Sequence, residues 1–443
     1  MAGTRKLVGP AVLMAGGLGI VGVAGYGFLG LTGHALPVAD TAAVASLYLL
    51  VNIIGPGLFV ALEQETSRAT SATTARGGEL RPIVRNAVLH ALLMLALVLV
   101  VLLAISPVLT AKALSGQWGL FAAVVLSVVT SAAVYLVRGL LGGRQRFTGY
   151  AATLGVEGLA RLLPSVALAL SGSANGVLYA LFFAAGSAFG ALAGLPALRS
   201  SAAPAAPAAP VDPLAPAAHE AEVPTTFAAM GRALVLLVLG TLLMQLVANL
   251  APIVVTSRMT WDKATAAAFA AAFVLVRVPL FLFAPVQAML LPSITRAAAA
   301  GDTATVWRRL RVVLLAVAAI GVPGALLSLL LGPWVVRVFF DAEVDLPGLV
   351  VGLLGVSTIA LMVAQVLQPG LVALDQHRFV TAAWVLGSVV LVGLLFLPGD
   401  PLRAAVLAQL VASAVVVATM SVGLLRRLRG RVASAPVPAG APG

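Results

Sequence analysis

Long apolar stretches constrain the fold of this chain more than any other feature. Each is about 20 residues long, which is enough to cross the hydrocarbon core of a bilayer. Twelve such spans are predicted, at 8–30, 39–62, 83–106, 118–138, 149–171, 174–198, 232–256, 264–291, 312–336, 347–370, 379–398 and 402–425. Because lipid cannot hydrogen-bond to a bare backbone, spans of this kind form helices. The sequence therefore predicts an all-α, polytopic membrane protein with about 12 transmembrane helices.

The composition excludes several classes of protein. Hydrophobic residues make up 61% of the chain and charged residues 9%, whereas a soluble domain carries about 25% charged residues. The formal net charge is +12, but the basic residues lie in short links between spans, so they do not indicate binding to nucleic acid. The chain has no Cys and only four scattered His, so we predict neither a metal site nor a cofactor.

The distribution of basic residues predicts the orientation in the membrane. If both termini are cytoplasmic, 20 of the 27 Lys and Arg residues lie on the inner side and five on the outer side. The remaining two, Arg161 and Arg277, lie within spans. Since Lys and Arg concentrate in cytoplasmic links, we predict a multi-pass membrane protein with both termini inside. The chain has 24 Arg against three Lys and is rich in Ala, a composition typical of GC-rich bacterial genomes, so we expect a bacterial cytoplasmic membrane.

A Pro- and Ala-rich segment divides the chain into two similar halves. We assign residues 200–230 to a cytoplasmic linker, 1–199 and 231–430 to six-helix bundles, and 431–443 to a disordered tail. The link after span four, "RGLLGGRQRFTGY", is similar to the link after span ten, "PGLVALDQHRFVTA". Six spans per half would orient both halves alike, as in the parallel repeats of many transporters. We therefore expect a 6+6 parallel repeat around a central cavity.

Two charged residues near the middle of the fifth span require an explanation. Glu157 and Arg161 are four residues apart and so share one helix face. A charge at the bilayer centre costs roughly 2.5–3.5 kcal/mol on insertion scales. The two side chains either neutralise each other against neighbouring helices or line a water-filled cavity between the halves. Because intramembrane charges usually mark a transport pathway, the cavity is the favoured interpretation.

Other polar residues within spans extend the candidate site. Arg277 lies at mid-depth in the eighth span without an acid in its own helix, so it must face a cavity or a distant acid such as Glu157. Gln245 and Asn249 share a face of the seventh span, and Gln287 lies in the eighth. These amides suit either interhelical hydrogen bonds or substrate contacts. The predicted substrate-binding residues are Arg161, Arg277, Glu157, Gln245, Asn249 and Gln287.

Two local expectations concern the ends and shape of spans. Glu63 and Glu65 are predicted to lie at a solvated cytoplasmic end of the second span. Pro279 and Pro285 should kink the eighth span, because proline lacks the backbone N–H that an interior helical position uses.

Two stretches resemble a known group of exporters. These are "VRGLLGGRQRFTGYAATLGVEGLARLL" and "VRVPLFLFAPVQAMLLPSITRAAAAGD", which resemble the multidrug/oligosaccharidyl-lipid/polysaccharide (MOP) exporter superfamily. The resemblance covers residues 8–430 and is nearest to the bacterial polysaccharide-biosynthesis flippases, which move undecaprenyl-pyrophosphate-linked oligosaccharides across the cytoplasmic membrane. It implies two six-helix bundles around a cationic cavity, with Arg161 and Arg277 as cavity arginines.

The same resemblance implies the activity and the partners. The expected activity is alternating-access transport of an anionic lipid-linked oligosaccharide or polysaccharide precursor, without an enzymatic step. The expected partners are the lipid-linked glycan, of undecaprenyl-pyrophosphate type, and membrane lipid. Contact with glycan-assembly enzymes also follows from the resemblance, and we expect a functional monomer. Arginine suits this substrate because its planar guanidinium matches phosphate and stays charged.

Three alternatives remain open from the sequence. A cation-coupled multidrug exporter of the same superfamily would carry membrane acids for coupling, yet only Glu157 lies deep and the first span has none. A membrane glycan polymerase or ligase would need a large outer loop, whereas the predicted outer loops are short. An envelope-assembly scaffold that has lost transport is the third alternative, against which the intramembrane arginines argue.

Overall fold

The computed structural model describes residues 2–199, 226–280, 303–373 and 376–433, and these ranges are helical without any strand. The helices are α1 (Ala2–Ala35), α2 (Val38–Ile54), α3 (Val60–Ala75), α4 (Arg81–Ala113), α5 (Trp118–Gly143), α6 (Phe147–Leu170), α7 (Gly176–Arg199), α8 (Phe227–Arg258), α9 (Lys263–Leu275), α10 (Thr303–Phe340), α11 (Gly348–Ala373), α12 (His377–Leu395) and α13 (Pro401–Ala433). Twelve helical segments are long and apolar enough to cross a membrane. The predicted all-α fold with 12 spans is therefore confirmed.

The second span is longer than the sequence suggested. A π-helical turn, Gly55–Phe59, joins α2 to α3, so that one helical segment runs over Val38–Thr74. Pro56 at the start of this turn lacks an N–H, which favours the local widening. The Gly57 carbonyl accepts a hydrogen bond from the Thr241 hydroxyl at 2.6 Å. One backbone carbonyl of the turn is thus hydrogen-bonded to a side chain of α8.

The eighth span breaks close to the predicted proline kink. Helix α9 ends at Leu275, and Val276 and Arg277 form a turn before the helical conformation resumes. Pro279 cannot donate to the carbonyl of Leu275, four residues earlier, and its ring crowds that carbonyl. The second predicted kink, at Pro285, lies outside the described residues.

The helices pack in two compact units. The first comprises Met1–Ala271 with Trp334–Asp345, and the second comprises Ala272–Pro333 with Leu346–Gly443. Helix α8 belongs to the first unit, where the Phe227 ring stacks on His90 of α4 at 4.0 Å between centroids. The boundary between these two units therefore does not coincide with the linker at 200–230. The division of the sequence into two six-helix repeats at the linker stays a prediction.

Much of the apolar surface faces outward, as a bilayer requires. On α4 the exposed side chains include Leu93 (60%), Leu97 (65%) and Val100 (64%). Soluble monomers rarely expose so continuous an apolar face. The chain is accordingly a multi-pass membrane protein.

The predicted linker and tail fall largely outside the described part of the chain. Residues 200–225 of the linker and 434–443 of the tail are not described. Helix α13 continues to Ala433. The first three residues of the predicted disordered tail are therefore helical.

Candidate functional site

Glu157 is the centre of a buried ionic network in the first unit. Its carboxylate lies 2.6 Å from the Arg161 guanidinium and accepts a hydrogen bond from the Ser187 hydroxyl at 2.7 Å. Arg138 donates to the other carboxylate oxygen. The Arg138 and Glu157 side chains are each 5% exposed. Both oxygens of Glu157 are thus engaged by residues of α5, α6 and α7.

Small residues on α7 allow this close approach. A Cβ added to Gly190 would lie 2.9 Å from the Thr153 carbonyl oxygen and 3.0 Å from the Glu157 Cβ, and one added to Gly186 would overlap the Arg161 side chain. With glycine at both positions, α6 lies directly against α7. Ser187, between them in sequence, then reaches both Glu157 and Arg161, whose guanidinium donates to its hydroxyl at 2.8 Å.

Arg138 is the functional candidate that sequence reasoning missed. The sequence assigned it to the cytoplasmic end of the fourth span, but α5 continues to Gly143 and buries it. Its Nε donates to the Thr153 hydroxyl at 2.9 Å, and its guanidinium carbon lies 5.7 Å from the Tyr135 ring centroid. The signal was present in "GLLGG" at 139–143, an uncharged run that lengthens the span beyond this arginine.

Glu63 and Glu65 are not at a solvated helix end, and that prediction was wrong. The Tyr150 hydroxyl donates to Glu63 at 2.5 Å. Glu65 is 1% exposed and pairs with Arg68 at 2.5 Å. The reason is that α3 continues to Ala75, which places both acids within a helix packed against its neighbours.

Arg161 keeps a partly open position at the edge of the network. Its side chain is 13% exposed, and its guanidinium lies 4.5 Å from the Phe183 ring centroid. The contact with Phe183 and the bonds to Glu157 and Ser187 hold the guanidinium in one orientation. Glu157 and Arg161 therefore form an ion pair packed among helices, the first of the two arrangements considered from the sequence. A substrate role for Arg161 is a separate proposal.

The two predicted amides of α8 bond to each other. Asn249 donates to the Gln245 side-chain oxygen at 3.1 Å and to the Gln245 carbonyl at 3.2 Å. A Cβ added to Gly57 would lie 3.5 Å from the Gln245 Cβ. These residues thus lie beside the π-helical turn.

The remaining predicted residues belong to the second unit or are not described. Arg277 follows the break after α9, with its guanidinium carbon 4.4 Å from the Phe273 ring centroid. It belongs to the second unit. Gln287 lies outside the described residues.

The network offers no metal site. Among the described residues, no group of three or more His, Asp or Glu side chains is arranged to hold a metal ion. The polar groups that contact Glu157 are the guanidiniums of Arg138 and Arg161 and the hydroxyl of Ser187.

Comparisons with known proteins identify solved structures that share this fold. No family model matches, and no curated protein matches. Among solved structures, an inward-facing multidrug resistance MATE family transporter of the MOP superfamily is similar with a TM-score of 0.75, at 12% identity over 96% of this chain and 100% of that one. The lipid II flippase MurJ, in an inward closed conformation, gives a TM-score of 0.63 at 11% identity, over 96% and 94% of the two chains.

A eukaryotic MATE transporter, AtDTX14, is also similar, with a TM-score of 0.63 at 12% identity over 97% of this chain and 99% of that one. These matches span nearly the whole chain. At such identities they establish a shared fold. The predicted resemblance to the MOP superfamily is confirmed at that level, and the fold is the 12-helix membrane fold of its transporters.

Proposed function

We propose that this protein is a membrane transporter that moves an anionic lipid-linked glycan precursor across a bacterial cytoplasmic membrane by alternating access. The fold supports transport in general, because its structural neighbours are described as transporters and a flippase. The same neighbours make an enzymatic role a weaker proposal. Both termini inside and a functional monomer remain part of the proposal.

One observation carries the choice of an anionic substrate, namely that two arginines bind the carboxylate of Glu157. Arg138 and Arg161 engage its two oxygens. Glu157 is thereby unsuited to coordinate a sodium ion or to hold a cationic drug, since either would have to displace a guanidinium. Arg161, at the partly exposed edge, and Arg277, stacked on Phe273, are then the groups we propose for the substrate.

Arginine is the residue expected for such a substrate. A diphosphate on a lipid carrier cannot cross hydrocarbon without a polar path. Guanidinium groups bind phosphate through paired hydrogen bonds and are less strongly hydrated than ammonium groups. Rigid placement of Arg161 by Phe183 and Ser187 would reduce the entropy lost on binding.

We expect Arg161→Gln and Arg277→Gln to lower glycan export by about tenfold or more, the loss that follows when a charged hydrogen bond is removed. Arg161→Gln should fold nearly normally, because Glu157 keeps Arg138 and Ser187 as partners. Lysine at either position should retain partial export, since charge survives and the planar geometry does not. The measurement is outer-surface glycan in a deletion strain carrying each variant.

The matched control is Arg337→Gln. Arg337 is 55% exposed and pairs with Asp345 at the surface, so its loss should leave export unchanged. Thermal unfolding in detergent, followed by tryptophan fluorescence, separates transport defects from folding defects. Normal export by both Arg161→Gln and Arg277→Gln would refute the proposed substrate class.

A second candidate is cation-coupled multidrug export, and Glu63 is the observation that favours it. Unlike Glu157, this carboxylate is bound by a neutral phenol, that of Tyr150, and so retains capacity for a proton or cation. Under this alternative, Glu63→Gln would abolish resistance to cationic drugs while Arg161→Gln would preserve it. The flippase proposal expects no drug-resistance change from either variant.

A further inference from the structure

The link between α5 and α6 directs two arginines onto the end of α7. Gln145 adopts a left-handed backbone conformation, with φ of 57°, which turns the chain sharply between Arg144 and Arg146. Arg144 Nη1 donates to the Leu198 carbonyl at 3.0 Å, and Arg146 Nη1 donates to the Ala197 carbonyl. Both guanidiniums therefore cap the last turn of α7.

The positive charge at the carboxyl end of α7 is larger than the partial negative charge of that helix end. The carboxyl end of a helix carries roughly half a negative charge, whereas Arg144 and Arg146 bring two positive charges. Arg199, exposed in the same last turn, adds a third. Among the described residues, no Asp or Glu forms an ion pair with any of the three.

Only part of the hydrogen-bonding capacity of the Arg144 guanidinium is used in capping α7. Its Nε is buried and finds no hydrogen-bond acceptor in the described part of the chain. Burial and the neighbouring charge of Arg146 lower the pKa of Arg144 from its ordinary value. Both effects would be relieved by an anion beside the guanidinium.

The position of these arginines indicates which anion. The candidate spans end at Gly143, begin at Phe147 and end at Arg199, so the three guanidiniums lie where three spans leave the hydrocarbon. Lipid phosphates occupy that level of a bilayer. The orientation preference for basic residues needs only solvated charges such as Arg81 and Arg85, which are exposed. That preference for cytoplasmic basic residues does not explain why the guanidiniums of Arg144 and Arg146 are half-buried against the end of α7.

We propose that Arg144, Arg146 and Arg199 form a binding site for the phosphate of a membrane lipid. The site is separate from the Glu157 network and does not rest on the proposed transport activity. Its phosphate could belong to the headgroup of an anionic phospholipid or to the diphosphate of a lipid-linked glycan. Guanidinium groups bind either through the same charge-assisted hydrogen bonds.

The first test measures lipid binding by the full-length protein in neutral detergent. Phosphatidylglycerol or phosphatidylcholine is titrated, with thermal unfolding and native mass spectrometry as readouts. Phosphatidylglycerol should raise the melting temperature saturably, whereas phosphatidylcholine should not. Arg144→Gln/Arg146→Gln should weaken the apparent affinity for phosphatidylglycerol by roughly tenfold or more.

The matched control is Arg81→Gln/Arg85→Gln, which also removes two positive charges, but from exposed positions. This variant should bind phosphatidylglycerol as the wild type does. Because Arg144 and Arg146 also cap α7, each variant is compared with its own lipid-free melting temperature. Arg199→Gln leaves both caps intact and should weaken binding without lowering that lipid-free value. Equal weakening by the control and by Arg144→Gln/Arg146→Gln, or an equal response to phosphatidylcholine, would overturn the site.

The source of the phosphate is decided by competition. If undecaprenyl diphosphate displaces phosphatidylglycerol at lower concentration, the site receives the lipid-linked substrate. If it does not, the site belongs to the phospholipid headgroup. Stabilisation by inorganic pyrophosphate at the same concentration as either lipid would overturn a membrane-lipid site. Glycan export is not a readout here, so failure of this proposal is distinct from failure of the transport proposal.

Discussion

Glu157→Gln is expected to destabilise the protein by roughly 3–5 kcal/mol, the range for removing one partner of a buried ion pair. Two cationic side chains would then face a neutral amide, Arg138 at 5% and Arg161 at 13% exposure. The guanidiniums would repel each other in a medium that screens charge poorly. Thermal unfolding in detergent, followed by the fluorescence of the five Trp residues, measures the loss.

The control for this prediction is Glu79→Gln. Glu79 is exposed, so the same chemical change should shift stability by no more than about 0.5 kcal/mol. An equal, small effect at the two positions would mean that the network around Glu157 contributes little to folding.

The structure also changes what a rescue experiment must contain. If Glu157 and Arg161 were a self-contained pair, replacing both with apolar residues would restore stability. Because Arg138 is the third member, that double change leaves a buried cation without its carboxylate. We expect recovery only when Glu157, Arg161 and Arg138 are all replaced by apolar residues of similar volume, as replacements of buried ion clusters have shown elsewhere.

Gly139→Leu and Gly143→Leu should each destabilise the protein by about 1–3 kcal/mol or more through overpacking. A Cβ at Gly139 would lie 2.8 Å from the Glu63 carbonyl oxygen, and one at Gly143 would lie 2.5 Å from the Thr70 Cβ. Helix α5 therefore packs on α3 through two glycines four residues apart, an arrangement that brings membrane helices into close contact.

The control for the glycine prediction is Gly240→Leu in α8. A Cβ there meets no atom within 4 Å, so leucine should be neutral or mildly stabilising, because glycine disfavours a helix interior by about 1 kcal/mol relative to alanine. Unfolding temperatures of the three variants in one detergent provide the comparison. Equal behaviour at Gly139, Gly143 and Gly240 would contradict the close packing of α5 on α3.

The sequence predicted the local properties of each span. Hydropathy identified twelve helices because a bilayer requires each segment to satisfy its own backbone. The spacing of Glu157 and Arg161 predicted their shared helix face, since that relation depends on one helix alone. Pro279 likewise predicted a break in the eighth span, because the effect of proline acts four residues back along the same helix.

Tertiary packing decided which polar groups meet. Arg138 and Glu157 are on different helices, and their hydrogen bond depends on how α5, α6 and α7 pack at glycine contacts. The bond from Tyr150 to Glu63 joins residues 87 positions apart, and hydropathy at the end of the second span suggested solvent there. Apolar patterning specifies that a helix is buried in a membrane, but not which neighbour its polar residues touch. That choice depends on side-chain fit between helices, which lies beyond the periodicity of any single span.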